Sequence, residues 1–224
     1  MRTAVLVCLL CLALAAHAQP AAPLRLADKW PLPAHELRFA GPVPSTHRLQ
    51  LDLVMFRDTS WEPEPILDAV RGAAAILAQC GIRLERAELY RFEGGDPALR
   101  YLSTPVSRQL VRRVRPAKPA VFFVRDTRHV PTFDAEAFGS GNTSTRPELA
   151  YTVWMTAWIR DLPLALAHEL AHVLMDSGEH SLEPGNLMRE ETAPANTSLT
   201  AAQCERMTRN GTENGWLQVV PPQR

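Results

Sequence analysis

The stretch His168-Glu169-Leu170-Ala171-His172 lies inside an apolar run from Leu162 to Met175, and this combination most limits what the chain can fold into. Leu164, Ala165, Leu166, Ala167, Leu170, Ala171, Val173 and Leu174 form or tolerate helix, and no Gly or Pro interrupts Leu164–Ser177. Asp161 is placed to cap the helix start, and Pro163 suits its first turn. Residues four apart on a helix project from one face, one turn apart, so His168 and His172 can each offer a nitrogen to one metal ion. Glu169 is rotated by about 100° from His168 and stands beside such an ion rather than on it. Burying three ionisable groups is costly unless they are paired or coordinate a metal. Zn²⁺ suits two imidazoles, and a free carboxylate beside it suits metal-assisted hydrolysis. The bland alternative, two ordinary histidines on a packed helix, leaves Glu169 without a partner.

The first 18 residues of the 224 read as a signal peptide: Arg2, an apolar run Ala4–Ala16, and Ala16-His17-Ala18 as a cleavage site. Cleavage after Ala18 and a secreted or periplasmic location are the expectation. The apolar run is too short for a membrane span. The remainder, Gln19–Arg224, is long enough for one domain with a sizeable core. The 24 basic and 24 acidic residues balance, so composition points to neither nucleic acid nor a membrane surface as partner; a monomer is expected. Cys80 and Cys204 lie beyond the signal, and in an oxidising compartment their pairing is the default.

Residues 19–45 hold six prolines and little periodicity, and read as an irregular or extended segment on the surface. The catalytic domain is expected to be 46–224. Within it His47–Arg57 alternates like a strand, and Pro63–Ala78 shows a helical apolar face stopped by Gly81. Ile82–Phe92 reads as a strand and Val106–Val114 as a short helix. Arg108, Arg112, Arg113, Arg115 and Lys118 there read as a solvated basic face. Ala120–Arg125 is a compact apolar strand for the middle of a sheet. Asp126–Glu148 is rich in turn residues, and Leu149–Trp158 is a strand leading into the His168 helix. Thr200 can cap a last helix, Ala201–Arg209, ended by Gly211.

His168-Glu169-Leu170-Ala171-His172, then Gly178 and His180, then Asn186-Leu187-Met188, resemble the metzincin metallopeptidases. That family carries H-E-x-x-H-x-x-G-x-x-H followed by a Met-turn. The motif covers residues 168–188, and the order of the remaining elements is compatible. The resemblance implies an α+β zincin fold: a twisted mixed sheet with long helices, an edge strand lining the cleft, an active-site helix, a Met-turn and a C-terminal helix. It implies a zinc endopeptidase acting on peptide or protein. His168 and His172 match the first two ligands, Glu169 the general base, and Met188 the apolar floor beneath the metal. The family places its Gly three and its third His six residues after the second His; here Gly178 is six and His180 eight after His172.

His180 is therefore the expected third ligand, with Asp176 and Glu183 as rivals. If the helix ran straight, Asp176 would lie roughly 9 Å along the axis from a metal midway between His168 and His172, beyond a carboxylate's reach. Gly178 can turn the chain back toward the metal by taking positive φ. Arg189 is a candidate for stabilising a developing oxyanion, against an ordinary surface role. The loop 137–148 is a candidate cleft rim. Two other readings stay open: a zinc hydrolase of a non-peptide amide, and a secreted interaction module with the same fold and no activity.

Overall fold

The computed structural model describes residues 22–39, 41–129 and 134–221. The expected signal peptide, 1–18, lies outside them. A mixed sheet carries the fold. Its strands are β1 (Arg25–Leu32), β2 (His47–Phe56), β3 (Ile82–Glu93), β5 (Ala120–Phe123), β7 (Ala135–Phe138) and β8 (Thr152–Met155), in the order β1-β3-β2-β5-β8-β7. The middle of the sheet, β3 to β8, is parallel, and both outer strands run antiparallel to their neighbours. A last strand, β9 (Leu217–Val219), pairs antiparallel with the first residues of β2. Two short strands, β4 (Tyr101–Leu102) and β6 (Asp126–Thr127), pair separately. The α+β class is as expected.

The helices divide between the faces. One face carries α1 (Pro63–Leu77) and α3 (Leu162–Met175), with α4 (Ala201–Glu213) packed on α3. Leu53, Met55, Val121 and Met155 from the strands meet Ile66, Val70, Leu170 and Leu174 there. The other face carries α2 (Thr104–Val114), where Leu110 and Val111 cover Phe122 and Trp154, whose rings stack at 4.3 Å. The parallel strands are buried on both faces, which is why Ala120–Phe123 reads as an unbroken apolar run.

Several expectations change. The segment 19–45 is not an irregular leader throughout: Arg25–Leu32 forms β1 along the free edge of β3. The antiparallel ladder with β3 holds it there, flanked by ion pairs of Arg25 with Glu93 at 2.6 Å and Lys29 with Glu88 at 2.9 Å, and Pro31 is tolerated because the strand is at an edge. Within the turn-rich stretch 126–148, Ala135–Phe138 is a strand, the outer one beyond β8. Lys118 is not part of a solvated face. Its Nζ donates to the carbonyls of Glu148 and Ala150, and burial lowers its pKa. Gly211 does not end the last helix, which continues to Glu213. A Cβ at Gly211 would come within 2.8 Å of the Leu217 side chain and 3.3 Å of Leu174, so the glycine lets α4 approach both.

Cys80 and Cys204 are bridged, joining the end of the α1 region to α4 across 124 residues of sequence. Among the described residues, no helix is long and apolar enough to cross a membrane.

Candidate metal centre

Helix α3 enters behind β8 with Pro163 in its first turn. Asp161 occupies the capping position, but its side chain makes no capping bond; its backbone carbonyl accepts from the Ala165 N–H at 3.0 Å instead. The helix is apolar nearly all round because it is buried nearly all round, from Leu164 to Met175, with His168 and His172 among the buried residues. Glu169 is the partly open position, on the cleft.

The chain leaves α3 through Asp176, in the left-handed region at φ 47°. Gly178, expected to make this turn by positive φ, does not adopt one. Asp176 reaches sideways to the loop after β7. It accepts from the Ser140 backbone N–H at 2.8 Å and from the Ser140 hydroxyl. A Cβ at Gly139 would sit 2.5 Å from Asp176 Oδ1, so only glycine leaves room for this contact. Asp176 is thus engaged with the rim of the cleft, away from the histidines.

The returning chain brings His180 onto His168 and His172. Nε2 of His172 lies 2.9 Å from Nε2 of His168 and 3.3 Å from Nε2 of His180. One nitrogen from each ring lies within 4.8 Å of the others, and no such cluster among the described residues includes Asp176 or Glu183. The loop is pinned where it passes: the Ser181 N–H donates to the Met188 carbonyl at 2.7 Å. Met188 and Leu187 are buried, and Asn186 Oδ1 accepts from the Met188 N–H at 2.8 Å. Asn186 and Gln203 exchange reciprocal amide bonds at 3.0 and 3.1 Å, and Gln203 also completes a capping box with Thr200. The Asn186–Met188 turn is thereby tied to the start of α4.

The hydrogen bonds decide the tautomers. His168 Nδ1 faces the Leu187 carbonyl at 2.8 Å, and His172 Nδ1 faces the Ser177 carbonyl at 2.7 Å. A carbonyl accepts only, so both Nδ1 atoms carry hydrogen. In the neutral rings both Nε2 atoms then present lone pairs to each other at 2.9 Å. Burial lowers the pKa of both rings, His172 to about 4, so they are neutral near pH 7. Facing lone pairs repel, and a cation between them turns that repulsion into coordination. Two neutral imidazoles oriented through their far nitrogens, with His180 Nε2 beside them, form a donor set of the kind that zinc takes.

Glu169 stands next to His168, with its carboxyl pushed up to about 8, mainly by burial and next by the charge of Glu136 on β7. A dication alongside acts in the opposite direction. The cleft in front has a volume of about 1080 Å³ and runs between the Ala135–Ala137 edge and Glu190–Pro194, with Trp158 at its mouth. Ala137, Gly139, Gly141 and Asn142 line it, as anticipated for the rim. Arg189 does not; its Nη1 donates to the Leu182 carbonyl at 3.1 Å and closes the loop behind His180. Sequence reasoning missed Glu136, whose signal was only a single acid within Ala135-Glu136-Ala137-Phe138.

No protein-family model matches this chain, and neither does any curated protein sequence. Among solved structures it is similar to metalloproteinase-II from Bacteroides fragilis, with 16% identity and a TM-score of 0.49. The match covers 78% of this chain and 56% of that one.

Proposed function

We propose that this chain is a zinc-dependent hydrolase of peptide bonds, a secreted or periplasmic metallopeptidase of the metzincin kind. His168, His172 and His180 would hold the metal, and Glu169 would be the general base. The observation that carries this reading is the convergence of three Nε2 atoms beside an unligated carboxylate in an open cleft. A structural zinc site is closed and has no use for that carboxylate.

When bound there, zinc supplies Lewis acidity and lowers the pKa of a water toward about 7. The chain's own groups do the rest. The Leu187 and Ser177 carbonyls keep hydrogen on Nδ1 of His168 and His172 and so aim each Nε2 inward. Glu169 takes a proton from the attacking water and passes it to the leaving amine. Met188 follows the carbonyl that orients His168 and forms part of an apolar floor. The outer edge of β7 suits an extended peptide, which can add to a sheet as a further strand. That edge favours a peptide over a small amide as substrate.

The test is zinc per chain in the purified protein and in His180→Ala, Asp176→Ala and Glu183→Ala, alongside a broad peptide-cleavage screen. One zinc per chain is expected, lost in His180→Ala and kept in the other two. Full zinc in His180→Ala with loss in either rival would overturn the ligand assignment. Absence of any peptide cleavage by the zinc-loaded protein would overturn the reaction.

A further inference from the structure

Two helical stretches of this chain end in the left-handed region on different residues. The turn that follows α1 ends on Gly81, φ 66°, which glycine adopts without strain. At the end of α3 the same position is held by Asp176, φ 47°. A residue with a Cβ takes that conformation at a cost, and it persists where the surroundings hold it. Like the other acids lining the cleft, Asp176 has no ion-pair partner among the described residues. Its carboxylate instead grips the segment just after β7. Oδ1 accepts the Ser140 N–H at 2.8 Å, and Oδ2 accepts the Ser140 hydroxyl. Gly139 leaves open the space beside Oδ1 that a Cβ would fill.

This two-bond clasp joins two parts of the molecule that nothing else ties closely. β7 is an edge strand with β8 as its single neighbour. The Asp134 carbonyl accepts the Thr156 N–H at 2.9 Å and the Phe138 carbonyl accepts the Tyr151 N–H at 2.5 Å. The backbone groups of Ala135 and Ala137, which alternate with these, therefore face outward along the cleft. Their side chains pack on the α3 side of the sheet, and two methyl groups offer little area to fix a strand against a helix. On the helix side, Asp176 is followed by Ser177, whose carbonyl accepts from Nδ1 of His172. On the strand side, the Thr143 hydroxyl donates to the Gly139 carbonyl at 2.7 Å and braces the turn. One carboxylate thus links the edge along which a peptide would lie to the helix end that orients His172.

We propose that Asp176 is a positioning residue: its bonds to Ser140 set where the β7 edge stands relative to the three histidines, and so where the bond to be cut meets the metal. The inference rests on the peptidase reading. Without the clasp a peptide can still pair with β7, because β8 holds the strand in the sheet. It then lies displaced from the reacting centre, and a misplacement of about 1 Å can lower a rate by about 10²-fold. The loss should fall on kcat and spare KM.

The experiment compares Asp176→Gly, Asp176→Asn and Gly139→Ala in the full chain. Glycine suits the left-handed position, so Asp176→Gly keeps the helix end and removes only the clasp. Asparagine tolerates the same φ and keeps an oxygen for the Ser140 N–H. In Gly139→Ala the new Cβ would meet Asp176 Oδ1 and displace it. In Asp176→Gly and Gly139→Ala kcat is expected to fall by about 10- to 100-fold; in Asp176→Asn it should stay within about threefold of wild type. KM and zinc content should be unaltered in all three. Combining Asp176→Gly with Gly139→Ala should add no further loss, since both act on one contact. Two readouts need no cleavage. In metal-free protein the Ser140 amide should exchange with solvent about tenfold faster in Asp176→Gly than in wild type. With Co²⁺ alone as probe, the paramagnetic relaxation of the Ala135 and Ala137 amides should match wild type in Asp176→Asn and differ in Asp176→Gly. Wild-type kcat in Asp176→Gly, loss of its zinc, or an unchanged cobalt effect would overturn the proposal and leave Asp176 as a helix end or a metal-site residue. If no peptide is cleaved, the peptidase reading fails, and the cobalt measurement still decides whether Asp176 sets the edge.

Discussion

On one side of the sheet β3 runs for 12 residues and β2 for 10; on the other, β5, β8 and β7 run for 4 each. The long side is laced with ion pairs between β1 and β3, and its strands bury Leu49, Leu51, Leu53 and Leu89. The short side hands the chain over to loops, to α3 and to the cleft, and its acids along that cleft are unpaired. Unpaired charge and facing lone pairs cost stability; long registers and filled cores provide it. The difference teaches that the costly chemistry sits on the part of the sheet with least strand of its own, braced by the part with most.

If that division holds, changes on the short side should cost activity and changes on the long side should cost stability. The largest effect expected is from Glu169→Gln, which keeps the side chain's shape and removes its basicity. Hydrolysis should fall by about 10²–10⁴-fold, with zinc content and unfolding midpoint unchanged. Wild-type turnover in this variant would remove Glu169 from the mechanism, and a large fall in midpoint would break the comparison.

Replacing both Cys80 and Cys204 by Ala should lower unfolding free energy by about 2–4 kcal/mol, because the bridge restrains a long loop in the unfolded chain. Urea titration measures this, and kcat of the folded fraction should be retained. A loss of kcat at full folding would show that the bridge serves the site directly.

Acid sharpens the contrast further. His172 has an ordinary pKa of 6.5 and a folded value near 4, and burial also lowers His168. These two rings therefore bind more protons in the unfolded metal-free chain than in the folded one over this range, so their contribution to stability should be present above about pH 6.5 and fall as pH drops toward 4, while Glu169, pushed up to about 8, contributes in the opposite sense. Bound zinc should make the fall steeper, since protons then compete with the metal. Denaturant midpoints of zinc-free Glu169→Gln protein, which lacks that opposing carboxyl, check the sign across this range; a midpoint that rises on acidification would refute it.

The smallest effect belongs to the exposed edge. Arg25→Gln breaks an ion pair whose cation is 73% exposed, and exposed pairs contribute little. Its unfolding midpoint should match wild type within error, and its zinc content should be unaltered.

The helix Leu162–Met175 was legible because chemistry and periodicity agree in it: two histidines one turn apart, a free glutamate, and no breaker until after Met175. The Cys80–Cys204 bridge and the parallel strands were legible for similar reasons. The strand Ala135–Phe138 was not. Four residues carry too little alternation, and its pairing is supplied by β8, remote in sequence. The strand Arg25–Leu32 was hidden by Pro31 and by charges that make sense only opposite Glu88 and Glu93. The turn after α3 was assigned to Gly178 on φ preference, whereas Asp176 takes the left-handed position because Ser140 holds its side chain. Glu136 had no local signature, since its standing comes from what surrounds it.

The reciprocal amide pair between Asn186 and Gln203 bears on how the protein is made. A ribosome delivers the chain in order, so all three histidines appear before the residue that steadies the turn beneath them. Gln203 comes later, Cys204 immediately after it, and Cys204 must then reach back to Cys80. A nascent chain therefore carries the three histidines for a time without the brace that fixes the Met188 turn. The centre is among the last parts of the molecule that synthesis can complete.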